Sequence, residues 1–240
     1  MTIIAVVGGK HSPGATTLAV ALAGMSEDQP TLLVEADPAG GDLAARAGIT
    51  FDPGLLTLAA AGRRGLTEQL LDAHTQILAN GARVVLGPPS PEQAATAIGG
   101  IGRTLVPVLR ARRGLAVVDA GRWDPRTPVG DLLSAADAML VTFRPTVEGV
   151  EHVRSRLGAL ERLTDRVIAV PVGERPYAAR EVAAVLAPVE VHAIEADARA
   201  AVAVGAGAPF DRWLRRTGLV RSVAGLAERL QLDRAEVTIG

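Results

Sequence analysis

The sequence predicts an α/β fold: a doubly wound, mainly parallel sheet with helices on both faces. Short, continuous apolar runs bounded by turn residues recur along the chain, the pattern of strands buried on both sides. These runs alternate with helical stretches, which makes βαβ units the natural reading. The composition agrees, with 48% hydrophobic residues, mostly Ala, Val and Leu, and only 2% aromatics, suited to close packing of helices on a sheet. At 240 residues the chain can bury a substantial core. It is read as a single domain, 1–240, with a less regular subregion at about 52–114.

The elements follow in order. Ile3–Val7 reads as the first strand and Thr16–Met25 as the helix after a glycine-rich turn. Thr31–Ala36 is a second buried strand, followed by short helical pieces at Gly41–Ala47, Gly54–Ala61 and Thr67–Ala73. Arg83–Leu86 is a short strand, and Pro91–Arg112 carries helical periodicity with an expected break at Gly99–Gly102. Leu115–Asp119 and Ala138–Thr142 are strands, and Val147–Leu163 is an amphipathic helix. Strand Val167–Val170, helix Ala178–Leu186, strand Val189–Ala193 and a last helix from about Ser222 to Leu230 complete the pattern.

Composition excludes several function classes. The absence of cysteine removes disulfides, thiol catalysis and cysteine-ligated iron–sulfur clusters. Four scattered histidines do not make a zinc site. A net charge of −1 does not suit a protein that coats nucleic acid, and the scarcity of aromatics does not suit base stacking. No apolar run approaches the roughly 18 residues of a membrane helix, and the N-terminus enters a strand pattern at once. A soluble, cytoplasmic protein without integral membrane insertion is expected.

The segment "VVGGKHSPGATTLAVALA", Val6 to Ala23, concentrates the chemistry. It runs from an apolar strand through a glycine-rich turn into a helix, the setting a phosphate-binding loop requires. A helix N-terminus offers free N–H groups and the positive end of its dipole. Gly8, Gly9 and Gly14 let a phosphate approach the backbone, and Thr16 or Thr17 places a hydroxyl for Mg²⁺. Lys10 is the chain's only lysine, every other basic position being arginine. Its compact ammonium suits phosphate as a point charge. The plain alternative is a glycine-rich turn that packs a strand on a helix. The pattern G-x-x-x-x-G-K-[ST] is met from Gly9 to Gly14 but broken at Ala15, where lysine is expected.

The segment resembles the deviant Walker A of the ParA/MinD family, K-G-G-x-G-K-[ST]-[ST]. The resemblance places the family's signature lysine on Lys10, its glycines on His11, Ser12 and Gly14, and the variable position on Pro13. The ordinary lysine falls on Ala15 and the hydroxyl pair on Thr16 and Thr17. It implies a P-loop NTPase-like fold binding ATP and Mg²⁺, and a sandwich dimer in which Lys10 reaches nucleotide across the interface. The intrasubunit lysine is missing. Losing such a charge donor costs a transferring phosphate roughly 3 kcal/mol of stabilisation.

"LLVEADPAGGDLAARAGI", Leu32–Ile49, resembles the family's D-x-D-P-x-x-N motif. Asp37 falls on the aspartate that orients water, and Glu35 on the acid before it. A carboxylate at a strand's C-terminal end also lies where open α/β sheets bind ligands, although "DPAGGD" is equally turn chemistry. Asp42 reads as a helix N-cap. "LAVVDAG", ending in Asp119 and Gly121, fits an acid that holds Mg²⁺ through water, or one that caps a loop. Trp123 reads as cover for the sheet edge. Arg144, Arg175 and Pro176 follow later strands, where the family receives the base; loop arginines are also commonly just solvated. "ARAAVAVGAGAP" resembles the family's late helix and loop. Arginines 110, 112 and 113, and arginines 212, 215 and 216, form basic clusters that read as solvated faces before they read as DNA contacts. The amphipathic last helix reads as docked on the core rather than on a membrane.

The leading expectation is a nucleotide-dependent dimerisation switch that positions cargo, DNA or a protein assembly through an unidentified protein partner, with weak or absent ATP hydrolysis. In it Lys10 and Asp37 are catalytic, and Thr16, Asp37 and Asp119 hold the metal. The alternative is a pseudo-ATPase, a structural or regulatory interaction module without turnover. Nonspecific DNA binding is a third reading, and metabolic ligases of the superfamily a fourth.

Overall fold

The computed structural model describes residues 1–9, 14–25 and 30–237, the last seven of these by backbone alone. Its centre is an eight-stranded sheet in the order β3-β4-β2-β5-β1-β6-β7-β8. The strands are β1 (Thr2–Gly8), β2 (Thr31–Glu35), β3 (Gln76–Ile77), β4 (Arg83–Val85), β5 (Leu115–Arg122), β6 (Ala138–Phe143), β7 (Val167–Pro171) and β8 (Glu190–Val191). Every pairing is parallel except that of β3 with β4. The expected α/β, mainly parallel, doubly wound architecture is therefore the observed one.

Eleven helices surround it among the described residues. They are α1 (Ala15–Met25), α2 (Leu43–Ala47), α3 (Leu55–Ala61), α4 (Glu68–Ala73), α5 (Pro91–Ala111), α6 (Gly130–Ser134), α7 (Val147–Arg154), α8 (Leu157–Leu160), α9 (Ala179–Leu186), α10 (Ala198–Gly205) and α11 (Gly218–Val237). The strands divide their side chains by the period of two. Ile3, Ala5 and Val7 of β1 join a core with α3, α5, α6, α7 and α9; Ile4 and Val6 join a second core with α1, α10 and α11. Leu219, Val220, Val223, Leu226 and Leu230 bury the inner face of α11, so this helix docks on the domain as expected.

Two sequence expectations need correction, and one element was not foreseen. Helix α5 runs unbroken through Gly99–Gly102. No close approach requires these glycines: a methyl at Gly99 or Gly102 would meet only ordinary van der Waals contacts, 3.6 Å from Pro128 Cβ and 3.5 Å from Asp131 Cβ, and one at Gly100 nothing within 4 Å. The stretch Val147–Leu163 is two short helices, α7 and α8. The carbonyl of His152 accepts from Ser155 Oγ and Arg156 Nη1, while Arg156 N turns back to Val153 O. Side chains thus take the acceptor that the next helical N–H would use. The edge strand β3, two residues long, carries no sequence pattern to find.

The order places the crossover where function needs it. From β1 the chain moves out to β2 and β4, returns to insert β5 beside β1, then passes to β6 on β1's other side. The C-terminal ends of β1, β2 and β5 thus converge at a switch point, where such sheets open a crevice.

Candidate functional site

At this edge the end of β1 leads through Gly8 and Gly9 towards α1. Gly9 N donates to Thr142 O at 2.8 Å, tying the loop's start to β6. Lys10, His11, Ser12 and Pro13 lie outside the described residues. The chain re-emerges at Gly14, whose φ of +74° favours glycine, and whose carbonyl accepts from Leu18 N at 2.8 Å. Helix α1 starts at Ala15, and its first residues border the crevice. A cavity of about 200 Å³ opens there, bordered by Gly14 through Thr17, Asp37 and Arg46. Ala15 borders the cavity where the G-x-x-x-x-G-K-[ST] pattern places an ammonium, but is itself buried and part of the core.

Asp119 sits in the C-terminal half of β5, level with Val6 of β1 and Glu35 of β2 in the sheet register. Directly after it β5 carries one extra residue: Val6 pairs with Asp119, but Gly8 pairs with Arg122. Bulges of this kind re-aim side chains beside functional sites. Here Gly121 takes φ +59°, and its N–H donates to Asp119 Oδ1 at 3.2 Å. Asp119 is 1% exposed, and its Oδ2 is buried without a hydrogen-bond partner. Burial pushes its carboxyl up to about 6; the Thr16 side chain facing it draws it partly back, without a hydrogen bond of sound geometry to Oδ2.

Asp37 lies against the same bulge. Its carboxylate is turned in so closely that a methyl on Gly121 would fall 2.0 Å from its Cγ. Its Oδ1 accepts from Ala39 N at 2.8 Å. Burial raises its carboxyl, with Asp42's charge a smaller contribution. Thr16, Asp37 and Asp119, expected to hold the metal, are thus brought to one place. Among the described residues no three of His, Cys, Asp and Glu form a metal-binding group by themselves. Mg²⁺ does not need such a group, since it keeps several waters and takes phosphate oxygens. An orphaned carboxylate oxygen beside a hydroxyl and a second carboxylate fits that mode.

Glu35 has a different job from the one its place in the motif suggests. It is 2% exposed, and its Oε1 accepts from both Asp42 N and Leu43 N at 2.9 Å while Oε2 accepts from Gly87 N at 2.9 Å. It clasps the segment after Asp37 to the loop after β4. Burial drives its carboxyl up to about 7, against the pull of the three donors. Asp42 stands at the N-cap position of α2 but makes no side-chain cap; it pairs with Arg46 instead.

Arg144 and Arg175 border a second cavity, of about 650 Å³, beyond β6 and β7 at the same edge of the sheet, with Glu174 and Glu195. Pro176 is not among the residues bordering it. Trp123 is partly buried against the core, with Arg156 5.9 Å from its ring centroid, and so covers the sheet as expected. In the first basic cluster Arg110 pairs with Asp137 at 2.6 Å and Arg112 with Asp72 at 3.0 Å. In the second, Arg212, Arg215 and Arg216 are exposed, and Arg215 donates to Phe210 O. No helix of the described residues is long and apolar enough to cross a membrane.

Sequence reasoning missed Arg46 and the clasp made by Glu35. The one signal for Arg46 was its i,i+4 spacing from Asp42 on a helix beginning beside the site.

Asp119 makes a sharp test of this geometry. The raised carboxyl means that its ionisation costs the folded state stability as pH rises from about 4 to 6, and the full cost holds above 6. Asp119→Asn should therefore raise the melting temperature of the ligand-free protein at pH 8, by on the order of 1–3 kcal/mol of stability, and change it little at pH 4. An unchanged or lower melting temperature at pH 8 would contradict this account.

No protein-family model matches the chain, and no curated protein is similar to it in sequence. Solved structures are similar to it in fold. A ParA family ATPase from Chlorobium tepidum superposes with a TM-score of 0.78 at 17% identity, over 95% of this chain and 98% of that one. MinD from Pyrococcus horikoshii, solved with Mg-ADP, gives 0.73 at 16% identity, over 95% of each chain. An ATP complex of a variant of McdA from Cyanothece gives 0.71 at 19% identity, over 96% of each. The fold is that of the ParA and MinD ATPases.

Proposed function

We propose that the chain is a nucleotide-dependent dimerisation switch of the ParA/MinD type, binding Mg·ATP at residues 9–17 and positioning a partner or cargo. The observation that carries this reading is the buried, partnerless Oδ2 of Asp119 beneath a cavity at the N-terminus of α1. A carboxylate kept dry without a partner is costly, and it makes sense beside a cation. Thr16 and Asp119, with Asp37 beside them, would hold Mg²⁺, which when bound neutralises charge on the β- and γ-phosphates. The N–H groups of α1 would cradle the phosphates. Arg144 and Arg175, bordering the second cavity, are assigned to the base side, and Pro176 is kept with them on the resemblance alone. Lys10 would reach nucleotide in the second subunit, and Asp37 would orient water for slow hydrolysis. That similarly folded proteins were solved with Mg-ADP and with ATP supports the choice of ligand.

One observation favours a second reading. Ala15 supplies no cation to the cavity it borders, where turnover calls for one, so a pseudo-ATPase that binds nucleotide without hydrolysing it fits equally well at that position. Nonspecific DNA binding draws less support, because the two paired arginines of the first cluster are already engaged with carboxylates.

The test is Mg·ATP binding, oligomeric state and turnover of the purified protein beside Lys10→Ala. Expected are Mg²⁺-dependent ATP binding, a shift from monomer to dimer with ATP, and loss of that shift in Lys10→Ala. Absence of binding at millimolar Mg·ATP would overturn the reading. Binding with dimerisation but no turnover would select the pseudo-ATPase.

A further inference from the structure

The geometry points to Arg46 as the intrasubunit cation for bound phosphate, taking over the charge that Ala15 does not supply. The inference rests on the reading that nucleotide phosphates sit at the N-terminus of α1.

Three observations carry it. First, Arg46 borders the same cavity as Gly14, Ala15, Thr16 and Thr17, and among the described residues bordering it Arg46 is the one cation. The acids Glu35, Asp37 and Asp42 also border that cavity, and Asp119 lies beneath it. A polyphosphate entering so acidic a site needs positive charge from the protein as well as from a metal. Secondly, the guanidinium is placed at the start of α1. A methyl built at Gly205, the last residue of α10, would stand 3.3 Å from Arg46 Nη1 and 3.3 Å from Thr17 Oγ1. The guanidinium and the Thr17 hydroxyl therefore border one small space, kept open because residue 205 lacks a side chain. Thirdly, Arg46 is held loosely. Its side chain is 42% exposed, and among the described residues its ion pair is with Asp42, four residues earlier at the N-cap position of α2 and 55% exposed. An exposed pair of this kind contributes little stability, so the guanidinium can exchange Asp42 for a phosphate. Its planar fork of donors matches phosphate oxygens bidentately.

The experiment measures Mg·ATP and Mg·ADP binding by calorimetry for the wild type, Arg46→Ala, Arg46→Lys and the double variant Ala15→Lys/Arg46→Ala. Melting temperatures without ligand are taken alongside. Arg46→Ala is expected to weaken Mg·ATP about tenfold or more, with its ligand-free melting temperature within a degree or two of the wild type. Arg46→Lys should retain part of the affinity. A lysine at 15 should restore binding to the Arg46→Ala background, because it returns a cation to the same cavity. A merely structural role for Arg46 would move the melting temperature and would not be rescued from position 15. Equal affinities for wild type and Arg46→Ala would overturn this inference while leaving the nucleotide reading intact. Failure of the wild type to bind either nucleotide would overturn both.

Discussion

Glu35→Ala is expected to destabilise the ligand-free protein by about 3 kcal/mol or more at neutral pH. Glu35 borders the cavity, but its carboxylate is taken up by the protein's own backbone. Its carboxylate instead satisfies three backbone N–H groups, those of Asp42, Leu43 and Gly87, which belong to two loops from different parts of the chain. The Leu43 and Gly87 bonds are buried. Each donor left without an acceptor costs roughly 1–3 kcal/mol, and removing the acid's own desolvation cost offsets part of the sum. For a chain of this size the melting temperature should fall by roughly 6–12 °C. A fall of less than about 2 °C would show that water replaces the carboxylate and that the clasp is dispensable.

The same substitution has a signature in pH. Burial raises the Glu35 carboxyl from 4.5 to about 7, so the folded state holds this proton over a range in which the unfolded state releases it. Stability from this group is therefore greatest below about 4.5, declines as pH rises through that window, and is lowest and constant above 7. The Ala variant has no such group. The gap in stability between wild type and Glu35→Ala should accordingly widen as pH is lowered from 8 to 5. A gap that narrows on acidification would mean that the three N–H donors outweigh burial and hold the carboxyl low.

These residues show what could be read in the sequence and what could not. Strands β1, β2, β5 and β6 announced themselves because each is buried on both faces, and a doubly buried strand has no reason to alternate. The loop from Gly8 to Thr17 was legible because strand, glycines and hydroxyls fall within one local stretch. So was the convergence of Asp37 and Asp119 on it, since strand ends in a parallel sheet share an edge. The clasp by Glu35 was not legible. It depends on Gly87, fifty-two residues away, and nothing local in "VVLGPP" reports that its N–H needs an acceptor. Arg46 was missed for a related reason: a lone arginine on a five-residue helix looks solvated until the fold lays that helix beside α10 and brings the arginine to the cavity. The expected break in α5 failed because glycine was read as a helix breaker, whereas burial of Ile98, Ile101, Leu105 and Leu109 along one face outweighs its weak propensity cost.

Gly121→Ala is expected to disable the site more than it damages the fold. Two penalties act at this position. The φ of +59° is a conformation alanine tolerates poorly, at about 1 kcal/mol or somewhat more. The added methyl would also lie 2.0 Å from Asp37 Cγ and 2.2 Å from both carboxylate oxygens. No rotamer adjustment at residue 121 relieves this, because a methyl has none, so Asp37 must swing away and release its bond from Ala39 N. We expect a loss of about 2–4 kcal/mol in all, together with loss of Mg²⁺-dependent nucleotide binding, read by calorimetry and thermal melting. The cause is separable by a double-mutant cycle with Asp37→Ala. If the carboxylate is what the methyl strikes, Gly121→Ala should cost distinctly less in the Asp37→Ala background, the remainder being the backbone strain. The two changes would then be coupled by about 1 kcal/mol or more. Strict additivity would place the damage in the β5 bulge itself, and would mean that Asp119, aimed by that bulge, is the residue whose displacement empties the site.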